Sequence, residues 1–313
     1  MSIVVRHDLP IEEAIATARE DLSVTAAGTT AEVGRALETA DTLVINPSSW
    51  DDDLLAALDE GDWVQATSTG YAAFPIEAFE ARGVTFTTAT GNYGAPVADH
   101  AFALTLALTR GIAAFVDDQR RREWNRSRGS DLIDLKDRTM TIVGLGDVGK
   151  SVARRAIGFG MDVYGTKRTP ETDGGVLSAE RIFPPEELES VIPETDVLVL
   201  TVPLTERTRG LVDRSTFERL PDSAILVNVA RGPVVDRTAL IEAIENDRIA
   251  GAGLDVFAEE PLPRSDPLWD LEDVIVTPHV GGRSDAFVDR FVDLFLENYD
   301  RRVAGEPMKN RIV

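Results

Sequence analysis

Thr139-Met-Thr-Ile-Val143 runs without a break into Gly144-Leu-Gly-Asp-Val-Gly149. The first five residues are apolar or β-branched and predict a strand. The next six read G-x-G-x-x-G, and residues 150–157 then read as a helix. In a strand–turn–helix setting the three glycines have separate duties. Gly144 permits the tight turn, Gly146 lets a pyrophosphate approach the backbone, and Gly149 lets the helix pack close to the strand. N–H groups at the helix start then face the phosphates. Gly144, Leu145, Gly146, Asp147, Val148 and Gly149 are therefore expected to hold a dinucleotide.

The end of the following strand selects between dinucleotides. An acid about 20 residues on would bond a ribose 2′-hydroxyl. Here Val163-Tyr-Gly165 leads to Thr166-Lys167-Arg168-Thr169, with no acid. Two cations and two hydroxyls suit a 2′-phosphate. NADP(H) is the expected cofactor, held by Lys167, Arg168 and Thr169, with NAD(H) as the alternative.

Outward from this turn, short β-branched runs alternate with helical stretches, the pattern of parallel sheets in an α/β protein. Strands are expected at residues 139–143, 162–165, 197–202, 224–229, 249–254 and 274–277. An earlier series falls at 3–6, 23–26, 42–46, 63–68 and 84–88, with helices such as 11–19, 51–58 and 76–81. It predicts a small flavodoxin-like sheet. Residues 95–109 are apolar nearly all round, so that helix should be buried between domains or in a subunit interface. Residues 117–129 are Arg-rich and read as a solvated surface or arm. Residues 286–303 predict an amphipathic helix, with Phe287, Phe291, Leu294 and Phe295 at helical spacing.

The 313 residues suffice for two domains. Against 54 acids stand 32 Lys and Arg, a net charge of −22. Such a surface repels phosphate backbones and anionic lipid, which argues against nucleic-acid and membrane binding. Lys occurs only at 136, 150, 167 and 309. This acid-rich, Lys-poor composition suits concentrated salt, where screening weakens carboxylate repulsion. Cysteine is absent, so no disulfide, thiolate nucleophile or Cys-ligated zinc is available. No secretory pattern opens the chain and no run of 18 apolar residues occurs, so a soluble cytoplasmic protein is expected. No metal site is expected.

There are three histidines. His7 follows the first strand and reads as structural or rim. His100 lies in the apolar helix and reads as a satisfied core or interface residue. His279, in Thr277-Pro-His279-Val-Gly-Gly282, follows a strand directly, where ligands of doubly wound sheets lie. It is the strongest acid/base candidate. Neighbouring strands end in Asn228-Val-Ala-Arg231-Gly232 and in Gly253-Leu-Asp255-Val-Phe-Ala-Glu-Glu260-Pro261. They add an arginine fork, suited to a carboxylate, and a group of acids.

These motifs, with Thr201-Val-Pro-Leu-Thr205, resemble those of the D-isomer-specific 2-hydroxyacid dehydrogenases over nearly the whole chain. The resemblance implies reversible reduction of a 2-oxo acid to a D-2-hydroxy acid with a nicotinamide dinucleotide. Arg231 would hold substrate, Glu260 orient and charge the imidazole, and His279 transfer the proton. Glu260, which precedes proline, matches better than Glu259. Asp255 would contact the nicotinamide amide. Val202, Pro203, Thr208, Val229, Ala230 and Gly281 would complete the cofactor site. Ser68-Thr69-Gly70-Tyr71 matches the carboxylate-holding loop, with Thr69, Gly70 and Tyr71 as substrate contacts and Asn46-Pro-Ser48 as a second wall. Asp99 stands where the family usually has Glu, a tolerable change.

The implied architecture is two doubly wound parallel-sheet domains, a flavodoxin-like substrate domain and a Rossmann dinucleotide-binding domain. The substrate domain would comprise 1–98 and 285–313, and the nucleotide domain 99–284. A homodimer is expected, through the apolar helix near Phe102–Leu108. Two alternatives remain: a glyoxylate/hydroxypyruvate reductase, or a dinucleotide-sensing interaction protein on the same fold. A phosphoglycerate dehydrogenase often carries a further regulatory domain, for which there are no residues here. A formate dehydrogenase would lack the Glu paired with the His.

Overall fold

Residues 2–169 and 176–313 are described in the computed structural model. They form two units, Met1–Tyr93 with Ser284–Val313, and Gly94–Arg283.

The first unit is built on five parallel strands: β1 (Ser2–Arg6), β2 (Ser23–Ala26), β3 (Thr42–Ile45), β4 (Trp63–Ala66) and β5 (Thr85–Thr87). Their order is β2-β1-β3-β4-β5. In β1, Ile3 and Val5 pack to one side, against Ile11 and Ile15 of α1 (Ile11–Ala18) and the phenylalanines of α9 (Phe287–Ala304). Val4 packs to the other, with Val33 and Leu37 of α2 (Thr30–Leu37) and Phe79 of α3 (Ile76–Arg82). Both faces are covered, so the strand is an apolar run rather than an alternation. In α9, Phe287, Phe291, Phe295 and Tyr299 recur every four residues and form the buried stripe. The Phe295 ring stacks on Trp63 at 5.0 Å. Beneath it, Trp63 Nε1 donates to Thr87 Oγ1, whose hydroxyl donates to Gln65 Oε1, both at 2.7 Å. The β5 edge is capped by the C-terminal segment, where Phe86 N–H donates to Val313 O and Ile312 N–H to Phe86 O. A covered edge is protected from pairing with another chain.

The second unit holds seven parallel strands: β6 (Thr139–Val143), β7 (Asp162–Thr166), β8 (Ile182–Phe183), β9 (Val197–Leu200), β10 (Ile225–Asn228), β11 (Gly251–Leu254) and β12 (Val274–Val276). They are ordered β12-β11-β10-β9-β6-β7-β8. The chain winds one way from β6 to β8 and the other way from β9 to β12, so the switch point lies between β6 and β9. The remaining helices are α4 (Gly94–Thr109), α5 (Ile112–Arg121), α6 (Asp147–Gly158), α7 (Arg214–Arg219) and α8 (Arg237–Glu245).

Helix α4 settles the boundary. The sequence places it after residue 98, but α4 begins at Gly94 and packs along α6, β10 and β11, so the whole helix joins the second unit. The later boundary falls after Arg283 rather than residue 284. Close approach depends on β11 being Gly-Ala-Gly-Leu. A Cβ on Gly253 would lie 2.8 Å from Leu104 Cβ. The apolar side chains expected at a dimer interface are largely consumed here. Phe102 and Leu104 are buried in the unit's own core, and Phe102 stacks on Phe159. Exposed apolar surface lies instead at Ile112 and Val116 of α5 and at Trp124. Residues 117–121, read as part of a solvated arm, belong to α5, and Asp118 is buried 3.1 Å from Arg128 Nε. Residues 51–58 are a 3-10 segment (Asp52–Ala57) rather than an α-helix. Among the described residues no single helix is long and apolar enough to cross a membrane. α4 and α5 would be so only together, across a 64° bend.

Candidate active site

Residues following successive strands of the seven-stranded sheet form a row along its carboxyl edge. His279 follows β12, Asp255 and Glu260 follow β11, and Arg231 follows β10. Thr201 and Val202 follow β9, the glycine turn follows β6, and Lys167 and Arg168 follow β7. Chain-distant segments converge because neighbouring parallel strands end on the same side.

The glycine turn fits a dinucleotide. Gly144 has φ +102°, which favours glycine, and a Cβ there would lie 2.7 Å from Val202 Cγ1. A Cβ on Gly149 would lie 2.1 Å from Gly144 O, so α6 abuts the turn. At Gly146 a Cβ would meet nothing within 4 Å. Gly146 is also the N-cap of α6 and makes no side-chain cap, leaving the helix N–H groups for an anion. Thr201 Oγ1 donates to Gly144 O at 2.6 Å, and Gly144 N–H donates to Thr166 Oγ1 at 3.1 Å. Thr166 is thus buried within the turn. Its hydroxyl, read as a 2′-phosphate ligand, is a structural acceptor instead. Thr208 Oγ1 donates to Pro203 O at 2.6 Å, closing the loop after β9. Arg168 and Thr169 are exposed and Lys167 half-buried.

The pairing of His279 with Glu260 is made by loop geometry. His279 Nδ1 lies 2.7 Å from Glu260 Oε2, and Phe257 N–H donates to Glu260 Oε1 at 2.9 Å. With the carboxylate on Nδ1, the imidazole presents Nε2 outward, and its side chain is 46% exposed. His279 has φ +51°, an uncommon conformation for a non-glycine residue. Asp255 holds it there. Its Oδ1 accepts from Val280 N–H at 3.0 Å and Thr277 Oγ1 at 2.7 Å, while Oδ2 accepts from Gly281 N–H at 2.8 Å. His100 Nε2 adds a contact to Asp255 Oδ1 at 3.2 Å and one to Thr277 Oγ1 at 2.8 Å. Burial pushes Asp255 up, but these hydrogen bonds outweigh it and hold its carboxyl below the ordinary value.

Arg231 is presented by a separate turn. Asn228 Oδ1 accepts from Ala230 N–H at 3.0 Å, and Asn228 Nδ2 donates to Arg231 O at 3.2 Å. Gly232 lies flat on the neighbouring loop, where a Cβ would come 2.0 Å from Phe257 C. The Arg231 turn and the loop bearing Glu260 are thereby packed backbone to backbone. Asp99 pairs with Arg155 of α6 at 2.7 Å.

In the first unit, Ser68 Oγ donates to Gly70 O at 2.6 Å, shaping the loop after β4. Among the described residues the N–H groups of Thr69 and Gly70 meet no protein acceptor. Tyr71 is exposed.

Sequence reasoning did not assign His100, Thr277 and Asn228 to the site. Thr277 and Asn228 stand inside the quoted motifs. The contact of His100 with Asp255 spans 155 positions and has no local signal.

Residues 102–281 match the family model described as D-isomer specific 2-hydroxyacid dehydrogenase, NAD binding domain. The chain is 35% identical over 283 residues to glyoxylate/hydroxypyruvate reductase B of Serratia proteamaculans (strain 568), covering 89% of this chain and 86% of that protein. It superposes with a TM-score of 0.85 and 27% identity on a D-isomer specific 2-hydroxyacid dehydrogenase family protein from Aeromonas salmonicida subsp. salmonicida A449, covering 100% of this chain and 98% of that one. A second structure, a D-isomer specific 2-hydroxyacid dehydrogenase from Xanthobacter autotrophicus Py2 in complex with NADPH and MES, gives a TM-score of 0.81 at 28% identity, covering 100% of this chain and 98% of that chain. The motif row, the glycine turn and these likenesses agree: the chain belongs to the D-isomer specific 2-hydroxyacid dehydrogenase family, as an NAD(P)-dependent oxidoreductase of that family.

Proposed function

We propose that this enzyme reduces a short 2-oxo acid, of the glyoxylate or hydroxypyruvate kind, to the D-2-hydroxy acid with NADPH preferred. The observation that carries the reading is the His279–Glu260 pair at 2.7 Å, with Nε2 left for substrate. Hydride addition at C2 is the chemistry a bound nicotinamide dinucleotide supplies. Protonated His279 gives its Nε2 proton to the carbonyl oxygen as negative charge develops there. Glu260 fixes the tautomer through Nδ1 and stabilises the imidazolium. Arg231 polarises the carbonyl and anchors the carboxylate, and the N–H groups of Thr69 and Gly70 bind carboxylate oxygens. In the cofactor site, Leu145, Asp147 and Val148 complete the turn, and Val202, Pro203, Thr208, Val229, Ala230, Asp255 and Gly281 are assigned to its walls. Lys167, Arg168 and Thr169 receive the 2′-phosphate, a role supported by the two cations and by the missing acid after β7.

A homodimer through the second unit is favoured by Trp124, which is 91% exposed, and by Ile112 and Val116 on one face of α5. An NADPH-consuming enzyme without cysteine suits the cytoplasm, and the acidic surface suits concentrated salt without drawing nucleic acid or membrane. A panel of glyoxylate, hydroxypyruvate and pyruvate, each with NADPH and NADH, tests the reading. His279→Asn should cut kcat by about 10²–10⁴-fold, and near-native turnover would remove the assignment. Replacing Lys167 and Arg168 with Ala should weaken NADPH far more than NADH; equal losses would remove the 2′-phosphate role.

A further inference from the structure

Helix α4 brings one imidazole of the second unit, His100, against the turn that bears His279. The helix is a firm base for it. A Cβ on Gly94 would overlap Asp147 Oδ2, so α4 starts flat against α6. Arg155 of α6 donates from Nε to Asp99 Oδ1 at 2.8 Å and from Nη2 to Ala95 O at 3.2 Å. Beyond His100, the bare Gly253 of β11 admits Leu104. His100 stands between these two fastenings. On its other side, a Cβ on Gly281 would lie 3.2 Å from His100 Cδ2 and 2.8 Å from Asp255 Oδ2, so the turn after His279 closes over both side chains.

The acceptors around His100 fix where its proton sits. Nε2 lies 2.8 Å from Thr277 Oγ1 and 3.2 Å from Asp255 Oδ1. Asp255 is held below its ordinary value, and a carboxylate oxygen only accepts. Nε2 therefore carries a proton, whichever way the Thr277 hydroxyl turns. A bare Nε2 would set two acceptors against each other. Rotating the ring by half a turn would put Cε1 against both oxygens and forfeit both contacts. The Thr277 proton then goes to Asp255 Oδ1, 2.7 Å away. Donation runs one way, from His100 to Thr277 to Asp255. It ends on the oxygen that also accepts from the N–H of Val280, next to His279.

Among the described residues, the other donors to Asp255 are Thr277, Val280 and Gly281, all on the turn of His279 itself. Those bonds fix the carboxylate to the turn. His100 fixes both to α4. His279 has φ +51°, and a non-glycine residue keeps such a conformation only where its surroundings over-determine it. We propose that His100 is a positioning residue: its Nε2–H, delivered from α4, holds Thr277 and Asp255, and through them the turn that aims the His279 imidazole at Glu260. The inference rests on the acid role given to His279 above. It adds to the reaction a residue that touches neither Glu260 nor Arg231 and acts through Asp255.

The test pairs kinetics with a readout independent of turnover. His100→Leu removes the donor and keeps an apolar side chain. His100→Gln sets an amide N–H near the position of Nε2. His100→Leu should lower kcat about tenfold per folded molecule, and His100→Gln should recover most of that loss. Equal losses in the two variants, or native turnover in His100→Leu, overturn the proposal. Long-range ¹H–¹⁵N spectra of the wild-type protein labelled at its three histidines should show His100 protonated on Nε2. An unprotonated Nε2 overturns the proposal without any variant. In His100→Leu the Nδ1 resonance of His279 should move, and in His100→Gln it should return toward its native position. A native His279 resonance in a His100→Leu protein that is merely less stable makes His100 a packing residue and overturns the proposal. A His279 resonance that moves in His100→Leu, in a protein whose wild type reduces no 2-oxo acid, upholds the positioning and removes the acid role of His279 instead.

Discussion

Asp255 is 3% exposed, and its carboxylate fastens the turn that gives His279 its positive φ. Four donors converge on it, so the charge matters more than the shape. Asp255→Asn keeps the volume, loses charge-assisted bonds and turns an NH₂ toward donors. We expect kcat to fall by about 10²-fold through displacement of His279, with stability lower by about 2 kcal/mol. The pH dependence follows from the direction of its shift. A carboxyl held below its unfolded value of about 3.9 contributes stability that is fully present above that pH and lost as pH falls through the lower, folded value. Urea unfolding between about pH 5 and pH 2 should therefore show a steep loss in the native protein and a shallower one in Asp255→Asn. Parallel losses would show that Asp255 is not ionised in this network.

At the scale of elements, the site depends on how closely loops and helices approach. The Arg231 turn lies on the loop carrying Glu260 because Gly232 has no side chain, and a Cβ there would come 2.3 Å from Ala258 N. Both contacts are backbone, so the loops must separate to admit even a methyl group. Gly232→Ala should cost about 1–3 kcal/mol of stability and reduce kcat/KM by roughly 10²-fold. Thermal unfolding and steady-state assays of the purified variant measure both. A variant with native kinetics would show that the two loops need not touch. Elements also differed in how far they could be read. β2 and β6 fall at the residues their β-branched runs predict, and most other strands agree within two residues. Helix α2 escaped the reading although Thr29 and Glu32 form a capping box, with Glu32 N–H donating to Thr29 Oγ1. Its signal lay in the cap, while its short apolar face is weak.

At the scale of the whole molecule, the charge of −22 on 313 residues must be compatible with binding two anions, a dinucleotide and an oxo acid. Under the proposed function, local positive groups resolve this. On the proposed assignment, Arg231, the cations after β7, the α6 N-terminus and the loop N–H groups would be small sites in an acidic shell, where low-dielectric contact outweighs distant repulsion. Self-repulsion over the shell is then relieved by ions. Lowering salt from molar to millimolar should reduce Tm and activity together, and a stable, fully active enzyme in dilute buffer would contradict the salt-adapted reading.

What the sequence determined by itself is what is local. Glycine positions after β6, β-branched runs and the chemistry of strand ends are set by residues a few places apart. They place the dinucleotide turn, Arg231, Glu260 and His279 after strands of one sheet. The tertiary structure alone decided which strand ends are neighbours, that Asp255 and His100 brace the turn of His279, and that α4 spends its apolar face on α6 and β11. The bonds bracing the turn of His279 alone join residues 22 to 177 positions apart, and such contacts arise from packing, which no local pattern encodes.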